Sequence, residues 1–109
     1  MFNSKIIGLG KYLPEKTITN DDLSNIMDTS DTWIKERTGI ETRRHIVKGD
    51  GDSTAVMAFK ASKIAIERAK IIPSDIELIL FATLSPDYYF PGSGVLLQNL
   101  LKIKNCPAM

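Results

Sequence analysis

The sequence has 109 residues, of which 43% are hydrophobic and 25% charged, and its formal net charge is +1. These values are typical of a globular protein and exclude a disordered or fibrous chain, and the near-zero charge gives no electrostatic reason to expect a nucleic-acid partner. Because no apolar run approaches the roughly 20 residues of a transmembrane helix and the N-terminus has no signal-peptide pattern, we expect no membrane partner. The single cysteine, Cys106, leaves no internal disulfide and favours a cytoplasmic location.

The first predicted element is a strand over 4–14, SKIIGLGKYLP, which Pro14 ends. Gly8 and Gly10 suggest a dinucleotide-binding fingerprint, but the third glycine is missing because position 13 is Leu13, and Pro14 blocks an immediate helix. We therefore interpret the two glycines as part of a strand with either close backbone contacts or a bulge.

Two short helices are predicted next. The first is capped by Thr19 or Asn20, and the second is capped by Ser30 or Asp31. The second helix ends at Gly39, because glycine tolerates the left-handed backbone conformation that often follows a helix. This second helix carries the only tryptophan of the sequence.

Residues 40–47, IETRRHIV, are predicted to form a strand. Arg43, Arg44 and Lys48 belong to a basic cluster that could attract phosphate groups or an acidic partner, but a solvated strand end is the simpler interpretation. His45 is the sole histidine, and because no motif pairs it with a nucleophile we do not assign it as a general base. One cysteine and one histidine do not make a ligand cluster, so no metal site is predicted.

The second half of the sequence predicts helix, strand and helix in turn. A helix over 53–70 carries a stripe of small residues at spacings of three and four, namely Ala58, Ala61, Ala65 and Ala69. The apolar run of 76–84 predicts a strand buried on both faces, as in a parallel sheet covered by helices. An aromatic loop over 85–94 leads to a helix from Val95, and NCPAM, 105–109, is predicted to start another strand. We expect one α/β unit.

Trp33 lies among polar residues in DTSDTWIKERTGI, 28–40, rather than on an apolar face. Arg37 follows four residues later, so the two side chains share one face of a helix. An indole can stack on an adenine ring, and a guanidinium can stack on a base or pair with a phosphate. The alternative is a surface tryptophan packed under an arginine.

Four segments resemble β-ketoacyl-acyl-carrier-protein synthase III in their order and approximate spacing: KIIGLGKYLPEKTITNDDL, DTSDTWIKERTGI, IELILFATLSPDYYFP and KNCPAM. The tryptophan segment favours this family over the related plant-type polyketide synthases and hydroxymethylglutaryl-CoA synthases. The resemblance implies an α/β fold, namely the incomplete N-terminal half of a thiolase-like (αβαβα) fold with a mixed sheet and packed helices. Residues 1–109 are then expected to form a partial N-terminal thiolase-like domain, truncated before the catalytic cysteine.

The resemblance implies an enzyme of fatty acid synthesis that condenses acetyl-CoA, or another short acyl-CoA, with malonyl-acyl carrier protein. Such enzymes use a set of Cys, His and Asn, and the matching positions are expected beyond Met109. No catalytic residue is therefore assigned, and the chain alone is expected to be inactive. Cys106 matches a family cysteine that is not the nucleophile. No cofactor is implied, because the CoA thioester is a substrate.

The resemblance also implies which residues bind. Positions matching Trp33 and Arg37 hold the adenine of CoA in the family, and the position matching Thr29 lines that site. The position matching Phe90 reaches across a homodimer to shape the acyl pocket of the partner subunit, and an exposed apolar sheet predicts self-association of this chain. The alternative to a portion of an enzyme is a stand-alone, non-catalytic homologue that binds CoA or dimerises.

Overall fold

The structure is a computed structural model that describes residues 3–109. The chain divides into two compact units. We call Leu13–Asp50 the hairpin unit, and the described residues up to Tyr12 together with Gly51–Met109 the helical unit. None of the helices in the part of the chain that the structure describes is long and apolar enough to cross a lipid bilayer.

The hairpin unit contains two antiparallel strands and two short helices. Its elements are β1 (Lys16–Thr19), α1 (Asn20–Ser24), α2 (Asp31–Thr38) and β2 (Thr42–His45). The strands pair in a register that places Lys16 opposite His45 and Thr19 opposite Thr42. The strand predicted over 40–47 is therefore confirmed in a shorter form, whereas β1 was not predicted.

Both helices of this unit begin at a capping residue. Thr19 caps α1, since its hydroxyl accepts a hydrogen bond from the Asp22 amide at 3.1 Å and the Asp22 carboxylate accepts one from the Thr19 amide at 2.8 Å. Ser30 caps α2, and Gly39 ends it with a φ of 70°. The structure thus selects Thr19 and Ser30 from the pairs of caps that the sequence allowed.

The helical unit consists of two helices, a short 3-10 turn and irregular segments. Its elements are α3 (Thr54–Ala69), the 3-10 turn Pro73–Asp75 and α4 (Ser93–Leu100). The predicted third helix is confirmed by α3, and α4 begins two residues before the predicted start at Val95. The buried apolar core of this unit comprises Ile79, Leu97, Leu101, Ile103 and Cys106.

The strand predicted over 4–14 is wrong, because this segment has no regular secondary structure, and its part around Gly8 and Gly10 packs against α3 instead. A Cβ added at Gly8 would lie 2.9 Å from the Cβ of Ala69, and one added at Gly10 would lie 2.7 Å from the amide nitrogen of Ala65. The predicted close backbone approach is therefore confirmed, and its partner is the alanine stripe of α3. Contact with a helix takes the place of strand pairing.

The prediction that 76–84 is buried on both faces is also wrong. Ile79 is buried and pairs in parallel with Ala108, but Leu78 and Leu80 are 48% and 72% exposed. Three backbone hydrogen bonds of 2.7 to 3.1 Å join the two segments. The parallel direction agrees with the prediction, but this ladder is too short for a regular strand, and the described residues cover only one of its faces.

Candidate functional site

Helix α2 holds Trp33 at the surface of the hairpin unit. The Ser30 hydroxyl accepts a hydrogen bond from the Trp33 amide at 3.1 Å, and the Gly39 amide donates to the Lys35 carbonyl at 2.9 Å, so both ends of the helix are closed. Ile34 is the buried residue of α2, and the neighbouring Trp33 is 53% exposed. Successive helix positions point in directions about 100° apart, so burial of Ile34 turns the indole toward solvent.

Arg37 lies over the indole of Trp33. Its Cζ atom is 5.0 Å from the centroid of the ring, within the distance at which a cation is attracted to an aromatic face. The prediction that the two side chains share one helix face is confirmed. Lys35, on the same helix, instead pairs with Asp31 at 3.0 Å and Glu41 at 3.6 Å.

A pocket of about 320 Å³ lies beside the indole, lined by Asp28, Thr29, Ser30 and Trp33. Such a volume is at the lower end of the range of small-molecule sites. The Oγ1 atom of Thr29 is buried and has no hydrogen-bond partner among the described residues. Because buried hydroxyl groups nearly always have a partner, this atom marks a place where a ligand could supply one.

Two charged residues of α2, Asp31 and Lys35, form an ion pair. The hydrogen bond from Asn20, and then that from Lys35, lowers the pKa of Asp31. The hydrogen bond and charge of Asp31, with the charge of Glu41, raise the pKa of Lys35. Asp31 and Lys35 therefore stay ionised, and compensate each other, throughout the neutral pH range.

Phe90 belongs to the helical unit, on the aromatic loop before α4, and its side chain is 91% exposed. Asp87 anchors this loop, because its carboxylate accepts hydrogen bonds from the amides of Thr54 at 3.0 Å and Ala55 at 2.8 Å and from the Ser93 hydroxyl at 2.9 Å. Burial acts to raise the pKa of Asp87, but hydrogen bonds from serine hydroxyls and from the first amides of α3 outweigh it and lower the pKa. An ionised carboxylate thus ties the loop to α3.

Most of the known proteins named as similar to this chain are β-ketoacyl-acyl-carrier-protein synthases III, and one similar structure is a priming β-ketosynthase of a polyketide pathway. No protein-family model matches the chain. Over 107 residues the chain is 46% identical to β-ketoacyl-[acyl-carrier-protein] synthase III of Listeria monocytogenes and 49% identical to synthase III 1 of Bacillus anthracis, and each match covers 98% of this chain and 34% of the relative. The crystal structure of 3-oxoacyl-[acyl-carrier-protein] synthase III from Aquifex aeolicus superposes with a TM-score of 0.91 at 43% identity, over 98% of this chain and 34% of that one. The chain matches about a third of a synthase III.

This match confirms the resemblance that the four sequence segments indicated, and with it the thiolase-like fold, present here as a mixed α/β portion with packed helices. The chain spans about a third of the length of the synthase III relatives it matches. Overall identity does not test the function of single side chains. The binding roles of Thr29, Trp33, Arg37 and Phe90 therefore stay predictions.

Cys106 and His45 are residue types that often act in catalysis, but in the described structure neither is hydrogen-bonded to a side chain that could act with it as nucleophile or base. Cys106 is 6% exposed within the apolar core, and its Sγ lies 3.4 Å from the carbonyl oxygen of Pro107. His45 is exposed at the end of β2, opposite Lys16. Among residues 3–109, no group of three His, Cys, Asp or Glu side chains is arranged to hold a metal ion.

Two arginines of the basic cluster donate hydrogen bonds within the hairpin unit. Arg43 donates to the Oδ1 atom of Asn20 at 2.6 Å, and Arg44 donates to the carbonyl oxygens of Pro14 and Glu15 at 3.3 and 2.9 Å. Arg44, His45 and Lys48 are exposed, so the interpretation as a solvated strand end holds for most of the cluster. Arg43 is the exception, because it is partly buried and its guanidinium stabilises the unit itself.

Sequence reasoning missed the roles of two polar residues, Asn20 and Asp87. Asn20 entered only as an alternative helix cap, yet it is 1% exposed. The hydrogen-bond partners of Asn20 lie 11 to 23 residues away in sequence, and the α3 amides that bind Asp87 lie 32 and 33 residues away. No local pattern reveals pairings over such distances, because they depend on the fold.

Proposed function

We propose that this chain is the N-terminal, CoA-binding portion of a β-ketoacyl-acyl-carrier-protein synthase III. The enzyme would condense a short acyl-CoA, with acetyl-CoA as the first candidate, with malonyl-acyl carrier protein in the cytoplasm. The observation that supports this proposal most is the pocket beside the exposed Trp33. It is lined by the buried Thr29 hydroxyl, which has no hydrogen-bond partner among the described residues, and Arg37 stacks on the same indole. The identity to synthase III over 98% of the chain supports the reaction class.

The chemistry of the pocket suits the adenine end of CoA. The indole of Trp33 offers a flat apolar face for a purine, and stacking of a base on an aromatic side chain contributes about 1–3 kcal/mol. Arg37 adds a positive charge that can stack on the base or pair with a phosphate. The Thr29 hydroxyl can donate a hydrogen bond to a ring nitrogen or accept one from an exocyclic amino group.

The aromatic loop suits a contact with a second subunit. Phe90 is 91% exposed and Tyr89 is 96% exposed, although Asp87 anchors the loop beneath them. We propose that Phe90 shapes the acyl pocket of a partner subunit in a homodimer, where a bulky phenyl ring favours acetyl and similarly short groups. Leu80 and Leu84, at 72% and 104% exposure, add apolar surface that supports self-association.

We further propose that this chain alone forms no acyl-enzyme and needs no cofactor, since the CoA thioester is itself the substrate. Cys106 supports this proposal, because its thiol is buried in the core and has no base bonded to it among the described residues. A nucleophilic cysteine normally lies in an accessible, electropositive environment. Incubation with acetyl-CoA should therefore leave the mass of the protein unchanged.

Titration with CoA tests the proposed binding site. Isothermal calorimetry should detect saturable binding, and because Trp33 is the only tryptophan, its fluorescence should change over the same range of concentrations. Trp33→Ala should weaken binding about tenfold or more, as expected when a stacking contact is lost. Tyr89→Ala is the matched control, because Tyr89 is an exposed aromatic residue of the other unit. This variant should bind CoA with the same dissociation constant as the wild-type chain.

Two outcomes would contradict this proposal. If Trp33→Ala binds CoA as tightly as the wild-type chain, the site is elsewhere. If the wild-type chain does not bind CoA but self-associates in light scattering, a dimerising, non-catalytic homologue becomes the better assignment, which the exposed leucines of the helical unit favour.

A further inference from the structure

Asn20 is a buried polar residue that the proposed binding site does not yet use. It is 1% exposed, and both ends of its amide group are engaged. Its Nδ2 group donates to Asp31 Oδ1 and to the carbonyl oxygen of Ile40, both at 2.8 Å, and its Oδ1 atom accepts from Arg43 Nη2 at 2.6 Å. An amide that joins three separate segments is a costly group to disturb, because each partner would be left without its bond.

The partners of Asn20 bracket helix α2. Asp31 is the first residue of α2, and Ile40 directly follows Gly39, the residue that ends it. One side chain therefore holds both ends of the helix that carries Trp33 and Arg37. Its third partner, Arg43, lies on β2, so the same amide fixes α2 to the hairpin.

Apolar packing gives α2 little independent support. The helix has eight residues, and Ile34 is its buried one. Helices shorter than about 12 residues are marginal in water, so they depend on tertiary contacts for their position. With a single buried apolar side chain, the hydrogen bonds of Asn20 become a principal constraint on where α2 lies.

We propose that Asn20 is a positioning residue for CoA binding, which fixes both ends of α2 and so sets the orientation of Trp33 and Arg37. This inference rests on the proposed function, since it concerns the same pocket. None of the hydrogen bonds that the described structure gives Asn20 goes to a residue that lines the pocket, so its proposed contribution is to affinity by orientation.

The main test replaces the donor of Asn20 with an acceptor. Asn20→Asp keeps the shape of the side chain but places a carboxylate against Asp31 and the Ile40 carbonyl. The dissociation constant for CoA should rise about tenfold, and the fluorescence anisotropy of Trp33 should fall because α2 becomes more mobile. The double variant Asn20→Asp with Asp31→Asn restores a donor–acceptor pair between these two positions but not the bond to the Ile40 carbonyl, so it should recover part of the lost affinity.

Thr19→Ala is the matched control for a general loss of stability. It removes the cap of α1 next to Asn20 but leaves the bonds to α2 intact, so it should lower the unfolding midpoint without changing the dissociation constant for CoA. If Thr19→Ala weakens binding as much as Asn20→Asp does, the effect comes from instability and the inference fails.

The outcomes separate this inference from the proposed function. If the wild-type chain binds CoA and Asn20→Asp binds it equally well, the inference fails while the proposed function stands. If the wild-type chain does not bind CoA, the proposed function and the binding role of Asn20 both fail. Should Asn20→Asp not fold, Asp31→Ala removes the same anchor from the helix end, and an unchanged dissociation constant would overturn the inference.

Discussion

Each of the two units places a cation over an aromatic ring, and the surroundings of Lys60 over Tyr12 differ from those of Arg37 over Trp33. In the helical unit, Lys60 Nζ lies 4.3 Å from the centroid of the Tyr12 ring and donates to the Tyr12 hydroxyl at 3.0 Å. The same ammonium pairs with Asp52, and Tyr12 donates to that carboxylate at 2.6 Å. The Asp52 side chain is only 4% exposed, and hydrogen bonds join its carboxylate, the Tyr12 hydroxyl and the Lys60 ammonium to one another.

In the hairpin unit, as the structure describes it, the contact between Arg37 and Trp33 is not part of such a cluster of mutually bonded polar groups. The indole is 53% exposed, and the pocket beside it contains the buried Thr29 hydroxyl, which has no hydrogen-bond partner among the described residues. A satisfied cluster stabilises the fold, whereas a cluster with an unmet polar group suits a ligand. We therefore expect changes around Tyr12 and α3 to alter stability, and changes around Trp33 to alter binding.

The largest effect on stability is expected from Gly10→Ala, in the segment that precedes Tyr12. The added Cβ would overlap the carbonyl oxygen of Ala61 and lie 2.7 Å from the amide nitrogen of Ala65, and backbone atoms of a helix cannot move aside easily. The free energy of unfolding should fall by about 3 kcal/mol, as measured by urea denaturation followed by circular dichroism. The folded fraction should bind CoA normally.

Gly49→Ala is the control for this change. A Cβ at Gly49 would meet nothing within 4 Å, so its cost comes only from a φ of 98° and should be about 1 kcal/mol. An unchanged stability in Gly10→Ala would show that the 4–14 segment does not pack against α3 as described. If folded Gly10→Ala protein binds CoA more weakly than the wild-type chain, the segment around Gly10 affects binding as well as stability, and the two regions are not separate in function.

A smaller effect, with a defined pH dependence, is expected from Asp52→Asn. Hydrogen bonds from Lys60 and then Tyr12 lower the pKa of Asp52, and the bond to Asp52 raises the pKa of Lys60. A lowered carboxylate pKa contributes stability above the unfolded value near 4, which is lost as pH falls through the folded value. A raised lysine pKa contributes stability below about 10.4, which is lost as pH rises through the folded value.

Asp52→Asn should therefore lower the melting temperature by a few degrees at pH 7. The difference from the wild-type chain should begin to shrink as the pH falls below about 4, where the unfolded chain takes up the proton, and should vanish below the lowered pKa of the folded state, where the wild-type carboxylate is protonated too. Thermal denaturation at pH 3, 5 and 7 measures this. A difference that stays constant across these pH values would mean that the ion pair does not cause the effect, and a change in CoA affinity would contradict the structural role of the cluster.

The sequence predicts the local features of this molecule better than its long-range contacts. The cap of α2, which the sequence allows at Ser30 or Asp31, its end at Gly39 and the shared helix face of Trp33 and Arg37 each depend on residues within nine positions of one another, and all are present. The predicted strand over 4–14 fails because its apolar residues cannot show whether a sheet or a helix lies beside them. Asn20 escapes notice because a buried amide and an exposed cap look alike in sequence.

Thr29→Val gives the smallest expected change and the sharpest contrast between the two regions. Valine has nearly the same shape as threonine but lacks the hydroxyl, so it removes a buried group that has no partner among the described residues. The free energy of unfolding should stay within about 0.5 kcal/mol of the wild-type value or rise, because no hydrogen bond within the described structure is lost. CoA binding should nevertheless weaken about fivefold, as the ligand loses one hydrogen bond. Calorimetry and urea denaturation of the same preparation measure both quantities.

If Thr29→Val lowers the free energy of unfolding while its affinity for CoA is unchanged, the Thr29 hydroxyl stabilises the fold. The pocket beside Trp33 then loses the observation that most supports it as a ligand site.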